Sequence, residues 1–250
     1  MEKFSLKDRF VAYLFNIKEW GIFLKRFLAL FVVAALSLLL WYFPISLFVA
    51  PFYSITTDRV PIIKEYKDLV GKSTTIALRD GLQNLLNEGL VTNFIGVRTW
   101  IDNKYYQQVG EIEMFRIGVN ILENNLARNR GTGGANRYIV QARSDIYSDF
   151  RIPIFTSYTT RVKQSVSNID RYLVQLKADQ NKEMSQKRAV FIVNSDNLAT
   201  ALDKLKQQLQ TNLMTQTTWR TQDDKFYRIK GNLIAMYDIL KGIEYDFKNK

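Results

Sequence analysis

The sequence predicts an all-α protein in which one N-terminal transmembrane helix is followed by a bundle of about six helices. Two observations support this fold class. Between Arg26 and Asp58 the chain has 31 consecutive residues without a formal charge, and helices of water-soluble proteins rarely stay apolar on every face for so long. In most of the remaining chain, apolar residues recur three and four positions apart, which is the spacing of one face of an α-helix.

The transmembrane helix is predicted at residues 27–50, a stretch of 24 residues, where crossing the hydrocarbon core of a bilayer takes about 20. Fifteen of them are Leu, Ile, Phe or Val, and each of these favours insertion by roughly 0.3–0.6 kcal/mol. A removable signal peptide has a shorter apolar region, of roughly 7–15 residues. We therefore predict an uncleaved signal anchor, in which Pro44 either ends the helix or only kinks it.

The basic residues on each side of this stretch predict its orientation. Residues 7–26 carry five Lys or Arg and residues 51–70 carry three, and the more basic flank usually stays in the cytoplasm. In a bacterium this gives an inner-membrane protein with a cytoplasmic amphipathic segment (residues 1–26), a linker (51–60) and a periplasmic helical domain (61–250). Residues 1–26 either form an amphipathic helix on the inner leaflet or are a cytoplasmic tail that is docked on a partner or frayed.

Within the domain, apolar spacing predicts the helices in order. Pro61 is a good first-turn residue, and the stripe that begins at Tyr105 ends at a glycine-rich loop around residues 129–134. A five-residue apolar run at 189–193 is the one segment with strand character, and its length does not decide the matter. Ser195 and Asp196 are predicted to cap the next helix. The predicted helical segments are 61–69, 78–89, 105–126, 138–150, 158–176, 198–209 and 221–247.

The last helix has the most regular pattern. Thr221 and Asp224 stand at capping spacing, and acidic residues in a first turn suit the helix dipole. Its apolar residues follow alternating steps of three and four, the repeat of a heptad seam. Whether this seam packs inside the bundle or against another copy of the chain is left open. The seam residues are Phe226, Ile229, Leu233, Met236, Leu240, Ile243 and Phe247.

Three strings resemble an uncharacterised family of bacterial inner-membrane proteins, a domain of unknown function: WIDNKYYQQVG, FIVNSDNLATAL and TWRTQDDKFYRIKGNLIAMYDILKGIEYDF. The likeness covers about residues 100–248, and the sequence departs from the family pattern at Lys230, Leu233 and Ile234. The resemblance implies a single N-terminal span before a helical periplasmic domain, and it implies no activity. Its landmarks fall on Asp102, Asn103, Gln107, Gly110, Phe191, Asp196, Asn197, Leu198, Asp223, Asp224, Phe226, Tyr227, Gly231, Asp246 and Phe247.

The chain has no His and no Cys, which excludes Cys/His zinc sites, cysteine nucleophiles, Ser-His-Asp triads and disulfides. Carboxylate pairs such as Glu111/Glu113 or Asp223/Asp224 are the remaining acid–base groups, as in a glycan hydrolase. The string from Gly71 to Thr74 copies the end of a phosphate-binding loop, but Tyr66 stands where that motif needs Gly. No catalytic residue, cofactor or metal site is therefore predicted.

Two groups of polar residues are candidates for structural or binding roles. One is a polar network, for which capping and inter-helix hydrogen bonds are favoured over a calcium site: Asp102, Asn103, Gln107, Asp196, Asn197, Asp223 and Asp224. The other is a basic surface around the glycine-rich loop, which suits phospholipid headgroups or an acidic protein face: Arg128, Arg130, Arg137 and Arg143.

The net charge of +11 also bears on the partners. Six basic and three acidic residues lie in residues 1–26, which leaves 29 basic and 21 acidic residues for residues 54–250. Because of the anchor, this excess predicts an acidic envelope partner and no nucleic acid. The sequence thus predicts a non-enzymatic scaffold or assembly protein of a larger envelope machine, with the membrane, other envelope proteins and possible further copies of itself as partners. The alternative is a carboxylate-dependent hydrolase of cell-wall or lipid substrates.

Overall fold

The computed structural model describes residues 21, 24–38, 64–90, 98–128, 134–148, 158–180, 188–219 and 221–248, without the side chains of residues 98–102. The chain divides into two compact units, residues 1–53 and 54–250. Each is described by itself.

The described residues of the larger unit form six α-helices, and the second of them continues as a π-helical turn over Leu122–Leu126. Its described residues contain no strand, and a single isolated bridge joins Arg128 to Ala135. The all-α class is therefore confirmed. The helices are α1 (Lys72–Glu88), α2 (Arg98–Ile121), α3 (Arg137–Ile146), α4 (Tyr158–Asp179), α5 (Ser195–Met214) and α6 (Gln222–Phe247).

The core forms around α2, which packs along α6, while α3 packs on α4 and α1 contacts both α6 and α4. Apolar side chains at three- and four-residue spacing point into one continuous cluster, as the sequence pattern predicts. Phe115 of α2 and Tyr172 of α4 are the largest of the fully buried side chains. The main contributors are Leu78, Leu82, Leu85, Ile112, Phe115, Val119, Leu122, Ile139, Ile146, Ile169 and Tyr172.

The helix predicted at 61–69 is wrong over its described part, because residues 64–67 have no regular structure and residues 68–71 form a turn. The N–H of Tyr66 is donated to Ser73 Oγ at 3.2 Å, so this segment folds back onto the start of α1. Gly71 has a φ of +86°, a conformation that favours glycine. The ring of Phe191 fills the position of its absent side chain. Residues 61–63 lie outside the described residues.

Residues 189–193 have no regular secondary structure and form no ladder. The N–H of Ile192 is donated to the Leu126 carbonyl at 2.8 Å, and the Tyr172 hydroxyl to the Val190 carbonyl at 2.7 Å. The prediction that Ser195 and Asp196 cap the following helix is wrong. The cap is Asn194, whose side chain accepts the N–H of Asn197 at 2.7 Å.

The heptad seam of α6 does not pack as one unit. Ile243 is buried, but Phe226 and Leu233 leave 62% and 49% of their surface exposed. Most of the buried residues of α6 are small or polar, and two are isoleucines. At Gly231 and Gly242 the neighbouring backbone is too close for a larger side chain. The buried residues are Gly231, Asn232, Ala235, Asp238, Ile239, Gly242, Ile243 and Asp246.

In the smaller unit, residues 24–38 are helical, and every side chain there except that of Ala35 is exposed. Within the described residues, the structure contains no helix with both the length and the hydrophobicity that crossing a membrane requires. Residues 39–50 of the predicted span lie outside the described residues. The same holds for residues 1–20, for residues 22 and 23, and for the predicted linker at 51–60.

Candidate functional site

Helices α2 and α6 cross at a point where a glycine of each helix lies against the backbone of the other. This crossing positions the polar residues at the centre of the domain. A Cβ added to Gly110 would lie 2.0 Å from the carbonyl oxygen of Arg228, and one added to Gly231 would lie 1.9 Å from that of Gln107. Both distances are far below van der Waals contact, so neither position has room for a side chain. The two backbones therefore touch, and the polar residues one turn away on each helix are brought face to face.

Next to this crossing, Glu113 joins three helices. Arg228 of α6 donates to its carboxylate through Nε at 2.8 Å and also through Nη2. Asn212 of α5 donates Nδ2 to the same carboxylate at 3.3 Å. A two-pronged guanidinium–carboxylate contact is among the stronger polar interactions in proteins, and these side chains are only partly exposed. The cluster thus holds α2, α5 and α6 in register.

A cleft of about 250 Å³ lies beside the cluster, with Tyr106, Asn212, Thr221 and Arg228 among its lining residues. Lys225 is at its edge and donates Nζ to the carbonyl oxygens of Leu213 and Thr215 at 2.6 and 2.8 Å. Cations commonly satisfy the last carbonyls of a helix in this way. The charged groups of the cleft are therefore used to join the end of α5 to α6.

The carboxylates of the two pairs proposed from the sequence lie in different local environments. Glu111 is buried and accepts Gln107 Nε2 at 3.1 Å, whereas Glu113 is bound by Arg228. In the other pair, Asp223 and Asp224 lie in the first turn of α6, where they complement the helix dipole. Among the described residues, no group of three or more Asp or Glu side chains is placed to hold a metal ion.

The N-terminus of α1 binds a carboxylate of the chain itself. Asp246, near the end of α6, accepts the N–H of Ser73 at 3.3 Å and that of Thr74 at 2.7 Å. Gly242, one turn earlier, has the backbone of Thr74 against it, since an added Cβ would lie 2.7 Å from that Cα atom. Burial raises the pKa of Asp246 above its usual range even though two N–H groups are donated to it.

The same turn accounts for the sequence that copies a phosphate-binding loop. Lys72 pairs with Asp68 at 2.7 Å and lies 4.5 Å from the centre of the Tyr66 ring. The hydrogen bond from Lys72 lowers the pKa of Asp68. The anion position at this helix end is thus taken by Asp246, and Lys72 is turned towards a different carboxylate.

We expect Asp246→Asn to lower the free energy of unfolding by about 1–2 kcal/mol, because the amide N–H₂ would face a backbone N–H. The difference should depend on pH. A raised pKa means that the folded state keeps the proton at a higher pH than the unfolded state, whose pKa is about 3.9. The stabilisation by Asp246 is therefore complete below that value and decreases as pH rises through the folded-state pKa. Urea unfolding of both proteins at several pH values measures this.

Asp203→Asn, at an exposed position of α5, reports the effect of removing one charge alone. If the advantage of the wild type over Asp246→Asn instead grew with pH, the N-terminus of α1 would favour the ionised carboxylate, and the pKa of Asp246 would be lowered by its two N–H donors instead of raised by burial.

The structure places the predicted polar network at different junctions of the domain. Gln107 is buried at the α2–α6 crossing, whereas Asn197 donates Nδ2 to the carbonyl oxygens of Asn125 and Ile192 at 3.0 and 3.2 Å. Asp196 and Asp223 are exposed, while Asn103 and Asp224 are half-buried, and the side chain of Asp102 lies outside the described residues. Gln107 and Asn197 therefore act at separate contacts.

The predicted basic surface is divided between a structural and an exposed part. Arg143 pairs with the buried Glu123 and so ties α3 to the π-helical turn. Arg137 is exposed, with its guanidinium 4.6 Å from the centre of the Tyr138 ring, and Arg128 is exposed as well. Arg130 lies outside the described residues. Of the three that the structure describes, Arg128 and Arg137 are in a position to reach a partner.

Sequence reasoning missed the position of Arg116. It donates Nε to the Ile146 carbonyl at 2.8 Å and Nη2 to that of Ser148 at 2.9 Å, which closes the end of α3. Its guanidinium also lies within 6 Å of the ring centres of Tyr147 and Tyr158. Burial raises the pKa of Tyr158 to about 12. Nothing in the local sequence distinguishes Arg116 from a solvated arginine.

Comparison with known proteins gives one result. The model of a family described as "Uncharacterized protein conserved in bacteria (DUF2333)" matches residues 17–212 and 201–250. No curated protein and no solved structure matches the chain.

Proposed function

We propose that this chain, which belongs to the bacterial family DUF2333, is a non-enzymatic scaffold or assembly protein of a larger cell-envelope machine. In this proposal an N-terminal helix anchors it in the inner membrane, and residues 54–250 form a periplasmic interaction domain.

One observation supports the proposed membrane anchor. The helical residues 24–38 expose large apolar side chains, with Leu30 and Leu38 leaving 70% and 72% of their surface uncovered. No charged residue follows Arg26 until Asp58. Contiguous apolar surface of this kind is unfavourable in water. A bilayer core is the environment that covers such a helix on all sides.

The interaction role is supported by the turn between α5 and α6. Large apolar side chains are exposed there, with 81% of Trp219 and 77% of Met214 uncovered. Contacts of Lys225 with the carbonyls of Leu213 and Thr215 fix this turn against the first turn of α6. Exposed aromatic and Met side chains on a fixed turn are typical of protein contact sites.

The alternative, a carboxylate-dependent hydrolase, has no observation in its favour. Glu113 is bound by Arg228, Glu111 by Gln107, and Asp223 and Asp224 lie in the first turn of α6. Each of these carboxylates already has a role in helix packing or in the first turn of a helix.

Charged substitutions in the N-terminal helix test the anchor. We expect the wild type to remain with membranes during an alkaline carbonate wash, and Leu30→Arg combined with Val33→Arg to release the protein. Each Arg near the centre of a span opposes insertion by about 2.5–3.5 kcal/mol. Val174→Arg, at an exposed apolar position of α4, is the matched control and should stay with the membrane. Release of the wild type by the wash would contradict the anchor.

The orientation and the partners need separate measurements. A reporter enzyme that is active only outside the cytoplasm, fused after residue 250, should be active. Crosslinking before purification in mild detergent should recover stoichiometric envelope partners, and Trp219→Ser should reduce their yield. A chain that remains a lone monomer under several conditions would remove the scaffold role.

A further inference from the structure

A second groove lies on another side of the domain from the cleft at Arg228. It forms where the turn before α1, the end of α4 and residues 188–192 meet, and its volume is about 270 Å³. Leu69, Leu176 and Ala189 are buried in its lining, while Val70 and Phe191 are only partly covered. Its surface is therefore mainly apolar, and it is open to solvent on one side.

One polar side chain in this lining has an unused donor. Arg188 donates Nη2 to the Gln180 carbonyl at 2.9 Å, which holds its guanidinium beside the end of α4. Its Nε atom is buried and has no hydrogen-bond partner among the described residues. A buried guanidinium N–H without an acceptor is unfavourable. An anion that enters the groove would supply that acceptor.

We propose that this groove binds a medium-chain aliphatic carboxylate, with the carboxylate on Arg188 and the hydrocarbon chain over Leu69, Val70 and Leu176. The carboxylate is assigned by charge complementarity, since a guanidinium edge is shaped for a planar oxyanion. The unbranched chain is assigned by the apolar lining. A peptide would bring backbone N–H and C=O groups, for which a mainly apolar lining is unfavourable.

The test uses the full chain in lipid nanodiscs, with decanoate that carries a diazirine at its last carbon as the probe. Ultraviolet light attaches the probe where it is bound, and peptide mass spectrometry locates the adduct. We expect adducts in the peptides that contain Leu69 and Val70 or Val190 to Ile192, in mildly alkaline buffer that keeps decanoate ionised. Excess unlabelled decanoate should abolish them.

Arg188→Gln should reduce the yield of these adducts about tenfold, because it removes one charge-assisted hydrogen bond to the carboxylate. Arg171→Gln, at an exposed position of α4, removes the same charge and should change nothing. Val70→Trp fills the groove from its open side and should also remove the adducts, so the result does not depend on the folding of one variant. The same probe ending in an alcohol should label the groove weakly.

Three outcomes would overturn the proposal. The first is labelling that falls only on the N-terminal helix and not on the groove. The second is labelling of the groove that is equal in the wild type and in Arg188→Gln, or equal for the alcohol and the carboxylate. In the third, a peptide that ends in Phe-Ile-Val with a free carboxylate prevents labelling of the groove, whereas unlabelled decanoate does not. That result would assign the groove to the C-terminus of a protein.

Discussion

Gly231→Val is expected to lower the free energy of unfolding by about 3–5 kcal/mol, among the largest effects of any single substitution in the domain. The reason is the crossing with α2, where the new Cβ would lie 1.9 Å from the Gln107 carbonyl oxygen. A backbone atom cannot rotate away as a flexible side chain can, so the helices must separate. Separation also pulls Arg228 away from Glu113, since each lies within one turn of a crossing glycine. Urea unfolding followed by circular dichroism measures the loss.

Ala178→Val is the matched control, because it places the same β-branched side chain at an exposed position of α4. It should cost only the difference in helix propensity, up to about 0.7 kcal/mol. Gly110→Val should reproduce the effect of Gly231→Val from the other side of the crossing. A loss below about 1 kcal/mol in both glycine variants would show that α2 and α6 do not touch backbone to backbone.

Phe115→Ala is expected to cost about 3–5 kcal/mol, since it removes a fully buried ring from the centre of the core. The ring rests on Gly81 of α1, where an added Cβ would lie 2.1 Å from its Cζ atom. Gly81→Ala alone should therefore destabilise the domain by about 1–3 kcal/mol. Thermal and urea unfolding of the single and double variants measure both effects.

The double variant makes a sharper test, because the two substitutions should not be additive. Once the ring is gone, the methyl group that Gly81→Ala introduces fits the vacated space, and alanine has about 1 kcal/mol more helix propensity than glycine. Gly81→Ala should then be neutral or stabilising in the Phe115→Ala background, a reversal of sign. Equal costs in both backgrounds would mean that Phe115 and Gly81 are not in contact.

Much of the helical architecture could be predicted from apolar spacing alone, because most of these helices bury an apolar stripe. Leu78, Leu82 and Leu85 of α1 and the stripe from Tyr105 to Leu126 are such cases. The error at residues 61–69 has a local cause: Tyr66 and Leu69 have helical spacing, but Gly71 adopts a positive φ that starts the helix later. The spacing of apolar residues gives no information about the φ angle that a glycine adopts.

The burial pattern of α6 has a different origin. Its heptad left open whether the seam packs inside the bundle or against another copy of the chain, and the helix buries Gly231, Ala235 and Gly242 together with Ile243 while Phe226 stays exposed. Burial was decided by how closely the backbones approach, and glycines on two distant helices had to be matched to foresee it. The same holds for the contact of Glu113, Asn212 and Arg228, which come from three helices and carry no shared local signal.

The bond between Asp246 and the first turn of α1 has a consequence for the order in which the domain matures. It links positions 173 residues apart in the chain, so the N–H groups of Ser73 and Thr74 lack their native carboxylate acceptor until α6 has been made. During synthesis the contact between α1 and Asp246 can form only after α6 has been made, and a contact of such separation forms slowly. A nascent domain that lacks its final turn would thus present an unsatisfied helix end, a feature by which incomplete chains differ from finished ones.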